Sequence, residues 1–125
     1  MVPALHPGDF LWIRKGRLFE RGQIVLVRTE NSRPYLKRVV GLPGEKVELR
    51  RGRLYINDRQ LPEPYIPERS QLEPQPDRAW ILEPETYIVL GDARDDSLDS
   101  RRMGSIPAKD LLGIAAWKLW PPKTL

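Results

Sequence analysis

Along this chain, short runs of β-branched and aromatic residues alternate with clusters of glycine, proline, asparagine and aspartate, the spacing of strands separated by turns. The pattern predicts strands over 9–13, 23–28, 35–40, 46–50, 53–56, 86–90 and 114–119. Arg51-Gly52, between the fourth and fifth, has the form of a tight hairpin turn, and Asn57-Asp58 marks a second turn. Helical periodicity is scarce, with one short helical turn predicted over 105–110, before the last strand. From Leu61 to Pro84 prolines accumulate and remove the amide donors that a ladder needs. The chain therefore reads as mostly β, an antiparallel sheet or barrel in one domain over 1–125, with an irregular proline-rich insertion over 57–85.

Composition narrows the chemistry. At 125 residues and 40% hydrophobic content the chain can bury one modest core. It has no cysteine, which excludes disulfides, thiolate nucleophiles and sulfur-ligated metals but leaves the redox compartment open. His6 is the only histidine, so a His-rich metal site is excluded and a histidine-based triad has a single candidate base. No cofactor is expected.

The net charge of +4 fits an anionic membrane surface or nucleic acid. The basic groups Arg14-Lys15-Gly16-Arg17, Arg50-Arg51-Gly52-Arg53 and Arg101-Arg102 all adjoin turn signals and read as solvated turns. No aromatic-rich sheet motif or recognition helix accompanies them, so nucleic acid is not expected as a partner. The longest apolar run, Leu111 to Trp120, is too short to span a bilayer and carries Lys118. Phe10, Trp12, Trp117 and Trp120, with basic residues nearby, suit either a headgroup-level contact or the core, the latter being the commoner place for tryptophan in strands.

Two segments carry the candidate chemistry. In Tyr35-Leu36-Lys37-Arg38-Val39-Val40-Gly41-Leu42-Pro43-Gly44, a lysine sits in an apolar strand. A lysine serves as a base near neutral pH only where burial disfavours its ammonium form. The structural alternative is a solvated lysine on an edge strand, where it discourages aggregation. The second segment, Gly91-Asp92-Ala93-Arg94-Asp95-Asp96-Ser97-Leu98-Asp99-Ser100-Arg101, concentrates acids, serines and arginines after another apolar strand. There Ser97 can hydrogen-bond a neutral lysine, and Asp99 can pair with Arg101 or Arg94. The alternative is a helix cap with surface ion pairs.

These segments resemble two boxes of the type I signal peptidases, Lys-Arg-Val-Val-Gly-Leu-Pro-Gly and Gly-Asp-Asn-Arg-Asp-Asn-Ser-x-Asp-Ser-Arg. Met1-Val2-Pro3-Ala4-Leu5 and Gly8-Asp9 resemble two further boxes, Ser-Met-x-Pro-Thr-Leu and Gly-Asp, without the leading serine. The resemblance implies a signal-peptidase-like fold. It also implies a serine endopeptidase that removes signal peptides of the A-x-A type through a Ser/Lys dyad and an acyl-enzyme. By position, Lys37 would be the general base and Ser97 the hydroxyl that orients it. Arg38 and Asp92 would support the site, with Asp99 and Arg101 as an ion pair holding the loop. Met1, Pro3, Leu5, Tyr35 and Leu36 would help bind substrate. The implied setting is the cell membrane, with the domain on the extracytoplasmic side.

Ala4 and Ala93 depart from the family's threonine and asparagine. The family's nucleophile falls one position before Met1, so the chain as written is expected to be inactive and to lack the membrane anchor. A start placed too far downstream or a cut fragment would produce this opening, as would a short relative that binds peptide without catalysis. A self-cleaving repressor domain shares the dyad and a similar fold, but the Gly91–Arg101 segment argues against it.

Overall fold

A computed structural model describes residues 10–16, 18–30, 33–64, 77–93, 99–120 and 122–124. The strands in chain order are β1 Phe10–Arg14, β2 Ile24–Val27, β3 Tyr35–Gly41, β4 Lys46–Arg50, β5 Arg53–Ile56 and β6 Arg59–Gln60. They continue with β7 Arg78–Ile81, β8 Thr86–Leu90, β9 Ile106–Pro107, β10 Leu111–Trp120 and β11 Pro122–Thr124. One helical turn, α1 Ser100–Met103, lies between β8 and β9. The strands form a seven-stranded sheet in the order β1-β10-β2-β3-β8-β9, with β11 on β10, and a four-stranded sheet in the order β6-β5-β4-β7. All the pairings are antiparallel, and among the described residues neither sheet closes into a barrel.

Each predicted strand has its counterpart, although the last begins at Leu111 rather than 114. A 3-10 turn over Ala108–Asp110 falls inside the short helical turn expected over 105–110. Strands β6 and β7 fall inside the proline-rich stretch 57–85, and residues 65–76 between them lie outside the described residues. At the β4–β5 hairpin, Arg51 and Gly52 take φ of 50° and 79°, the left-handed pair that a two-residue turn needs to match strand twist. Asn57 and Asp58 repeat it at 49° and 68°, residues whose short polar side chains tolerate that region.

Two apolar clusters hold the fold. Val25, Val27, Val39, Tyr87, Val89, Ile106, Leu111 and Ile114 bury one face of the larger sheet together with Phe19, which meets Tyr87 edge-on at 5.4 Å. Val40, Val47, Leu49, Leu54, Leu82, Ile88 and Leu90 fill the space between the two sheets. Strands β3 and β8 supply alternate residues to both clusters, which is why they read as near-continuous apolar runs in the sequence. Gly41, at the end of β3, faces Val47 of the smaller sheet. A Cβ there would stand 2.6 Å from Val47 Cγ2 and 3.0 Å from Ile88 Cβ, so the glycine of this motif is demanded by packing.

Candidate active site

Lys37 is on a central strand. Its neighbours in β2 are fixed by the register Val25↔Lys37, with Leu26↔Leu36 and Ile24↔Arg38 on either side. On the other side of β3, β8 pairs only from Arg38 onward, through Arg38↔Leu90, Val39↔Val89 and Gly41↔Ile88. Among the described residues, the β3–β8 ladder thus begins one residue after Lys37. Lys37 is half-buried, and its Nζ lies 5.6 Å from the centroid of the Tyr35 ring, two positions back on the same face. The expected alternative, a freely solvated edge-strand lysine, does not describe this position.

Arg38 faces the opposite way and reaches the segment that follows β8. Its Nε and Nη2 donate to the two carboxylate oxygens of Asp92 at 2.9 and 2.7 Å, while Nη1 donates to the Gly22 carbonyl at 2.8 Å. Asp92 is fully buried, so this two-pronged bond compensates a charge that would otherwise be costly to desolvate.

Asp99 is also fully buried and holds the far end of the same segment. Its carboxylate accepts from the Gly91 N–H at 2.9 Å and the Arg101 N–H at 3.0 Å, and from Arg101 Nε and Nη2, both at 2.9 Å. It therefore caps α1 and pairs with Arg101 at once, so the cap and the ion pair weighed as alternatives coexist. Burial opposes ionisation of Asp99, but the Arg101 hydrogen bonds and the Gly91 and Arg101 amides together outweigh it, and its carboxyl titrates below the usual range.

Ser100 supports the strand, its buried Oγ accepting from the Val89 N–H at 2.9 Å. From the second sheet, Arg78 Nη1 donates to the Arg101 carbonyl near the end of α1. This contact was not legible from sequence, since nothing marks an isolated arginine after a proline-rich stretch as a partner of the Gly91–Arg101 segment. The Arg21–Glu45 pair beside Val40 was missed for the same reason, although Glu45 directly follows the first motif.

The structure thus brings Arg38, Asp92, Asp99 and Arg101 into two adjoining buried ion pairs beside the strand that bears Lys37. Tyr35 and Leu36 are partly buried on opposite faces of that strand. Met1, Pro3, Leu5 and Ser97 lie outside the described residues. A half-buried lysine beside two buried ion pairs can accept a proton from a group held next to it.

The family described as signal peptidase, peptidase S26, matches residues 1–120. A probable signal peptidase I-2 of Synechocystis sp. is 36% identical over 132 residues, covering 97% of this chain and 59% of the relative. A signal peptidase I of Bacillus amyloliquefaciens is 33% identical over 134 residues, covering 97% and 69%. A crystal structure of a signal peptidase I from Enterococcus faecalis, 30% identical, superposes with a TM-score of 0.67 over 82% of this chain and 98% of that one. The chain thus spans between about three-fifths and seven-tenths of these two curated relatives.

Proposed function

Since the chain belongs to the signal peptidase family, peptidase S26, we propose that it is a serine endopeptidase domain that removes signal peptides from secretory preproteins, with Lys37 as general base. One observation carries this reading. The two motif segments, far apart in the sequence, are joined by the β3–β8 pairing and by the buried Arg38–Asp92 bond, made by the residue next to Lys37.

In the proposed reaction a serine hydroxyl, directly ahead of Met1 by position in the family, attacks the scissile carbonyl as Lys37 takes its proton. The lysine then protonates the leaving amine, and, neutral again, takes a proton from the water that attacks the acyl-enzyme, returning it to the serine oxygen as the acyl group leaves. Ser97 would orient Lys37. Arg38, Asp92, Asp99 and Arg101 act through position, holding both ends of the segment that contains Ser97. The substrate would lie extended beside Tyr35–Lys37, its main chain bonded there. Tyr35, Leu36, Met1, Pro3 and Leu5 would form shallow pockets that accept small residues of the A-x-A type.

Residues 1–125 would act as one catalytic domain on the extracytoplasmic side of the cell membrane. Among the described residues no helix is long and apolar enough to cross a membrane. The test is to titrate an A-x-A signal peptide into the chain carrying a serine directly ahead of Met1, following binding and cleavage together. Cleavage after the second alanine supports the reading. Tight binding with no cleavage would instead identify a peptide-binding relative without catalysis.

A further inference from the structure

Arg21 and Glu45, which have no role in the proposed reaction, make a closed arrangement at the end of the lysine strand. Arg21 Nη1 and Nη2 donate to Glu45 Oε1 and Oε2 at 2.8 and 2.7 Å, and Nη1 also donates to the Val40 carbonyl at 2.9 Å. Glu45 Oε1 in turn accepts from the Leu42 N–H at 2.7 Å. These groups flank Gly41, where the β3–β8 register shifts and the regular ladder fails, so the ion pair supplies partners at that irregularity.

The same turn grips the strand at the two preceding residues. Gly22 N–H donates to Val39 O and Val39 N–H to Gln23 O, both at 2.8 Å, while Gly22 O accepts from Arg38. Residues 38 to 40, immediately after Lys37, are therefore all fastened to the 21–23 turn, and that turn is fastened to Glu45. The pair is about three-quarters buried or more on each side, 28% and 16% exposed, so its geometry is held with little competition from water.

We propose that Arg21 and Glu45 are positioning residues for the peptidase reaction, clamping the bulged end of β3 and so fixing where the strand presents Lys37. This inference rests on the reading of Lys37 as the base. A displacement of about 1 Å at a reacting group is enough to slow a reaction severely even when the mutated residue is remote.

Two readouts test it. In the chain as it stands, acetylation of Lys37 is followed by peptide mass mapping, with exposed Lys109 as internal reference. Glu45→Ala is expected to raise Lys37 labelling several-fold relative to Lys109, and Glu45→Gln, which keeps an acceptor for Leu42 N–H, to restore most of the difference. If Glu45→Ala loses its β-sheet circular dichroism, Glu45→Gln and Arg21→Lys carry the comparison, each with a smaller rise. Unchanged Lys37 labelling in folded Glu45→Ala, or in both Glu45→Gln and Arg21→Lys where Glu45→Ala does not fold, overturns the proposal. In the serine-bearing chain Glu45→Ala should lower kcat by about tenfold with KM held to about twofold. An unchanged kcat, or a change confined to KM, also overturns it. Failure of the unmutated serine-bearing chain to cleave would count against the peptidase reading alone, because the labelling result stands without it.

Discussion

Asp92 and Asp99 are the residues whose environments have the sharpest consequences. Both carboxylates are fully buried and both face an arginine through two bonds. Asp92→Ala strands the Arg38 charge and is expected to destabilise the fold by about 3–5 kcal/mol, whereas Arg38→Met with Asp92→Leu should cost far less; urea midpoints for the two proteins test this. Asp99 gives a pH signature. Its folded-state carboxyl lies below the ordinary 3.8, so its contribution is complete above that value and is lost as pH falls through the lower folded one. Stability measured from pH 6 down to 2 should therefore drop in the acid range, and Asp99→Asn should flatten that drop; an equally steep curve for the variant would show that Asp99 is not its source. The Asp99–Arg101 pairing was legible as one of two options, with Arg94, because the partners stand two positions apart. Arg38–Asp92 was not, since nothing in the sequence pairs residues 54 positions apart.

At the level of elements, strands of four or more residues with apolar alternation were readable, and both left-handed turns fell where their residue types place them. The exception is β7, whose four residues include an arginine and an exposed Ile81 and which borders the prolines. Strands β6 and β9 are two residues long, below any periodicity, and exist because neighbouring strands offer them an edge. Gly41 shows how a motif residue can serve packing. Gly41→Ala forces a methyl against Val47, Leu82 and Ile88 and should destabilise by about 1–3 kcal/mol. Thermal unfolding checks this, and Gly41→Ala combined with Val47→Ala should recover part of the loss if the clash is the cause.

For the whole molecule, the division of labour follows from the two sheets. The larger sheet carries Lys37 and, through β3 and β8, joins the two motif segments. The smaller sheet covers its far face through the second apolar cluster and reaches the Gly91–Arg101 segment through Arg78. The family was readable from short boxes, and two of them record physical demands: a central lysine strand ending in a sheet-to-sheet contact that excludes a side chain, and a segment pinned by buried acids. The central claim is that Lys37 accepts the proton of the nucleophile. The most direct measurement is kcat for cleavage of an A-x-A signal peptide by the chain carrying a serine ahead of Met1, compared with its Lys37→Ala variant. A loss of at least about 10²-fold, with peptide binding and circular dichroism retained, is the result predicted for a general base. Turnover within a few-fold of the unmutated chain would contradict it.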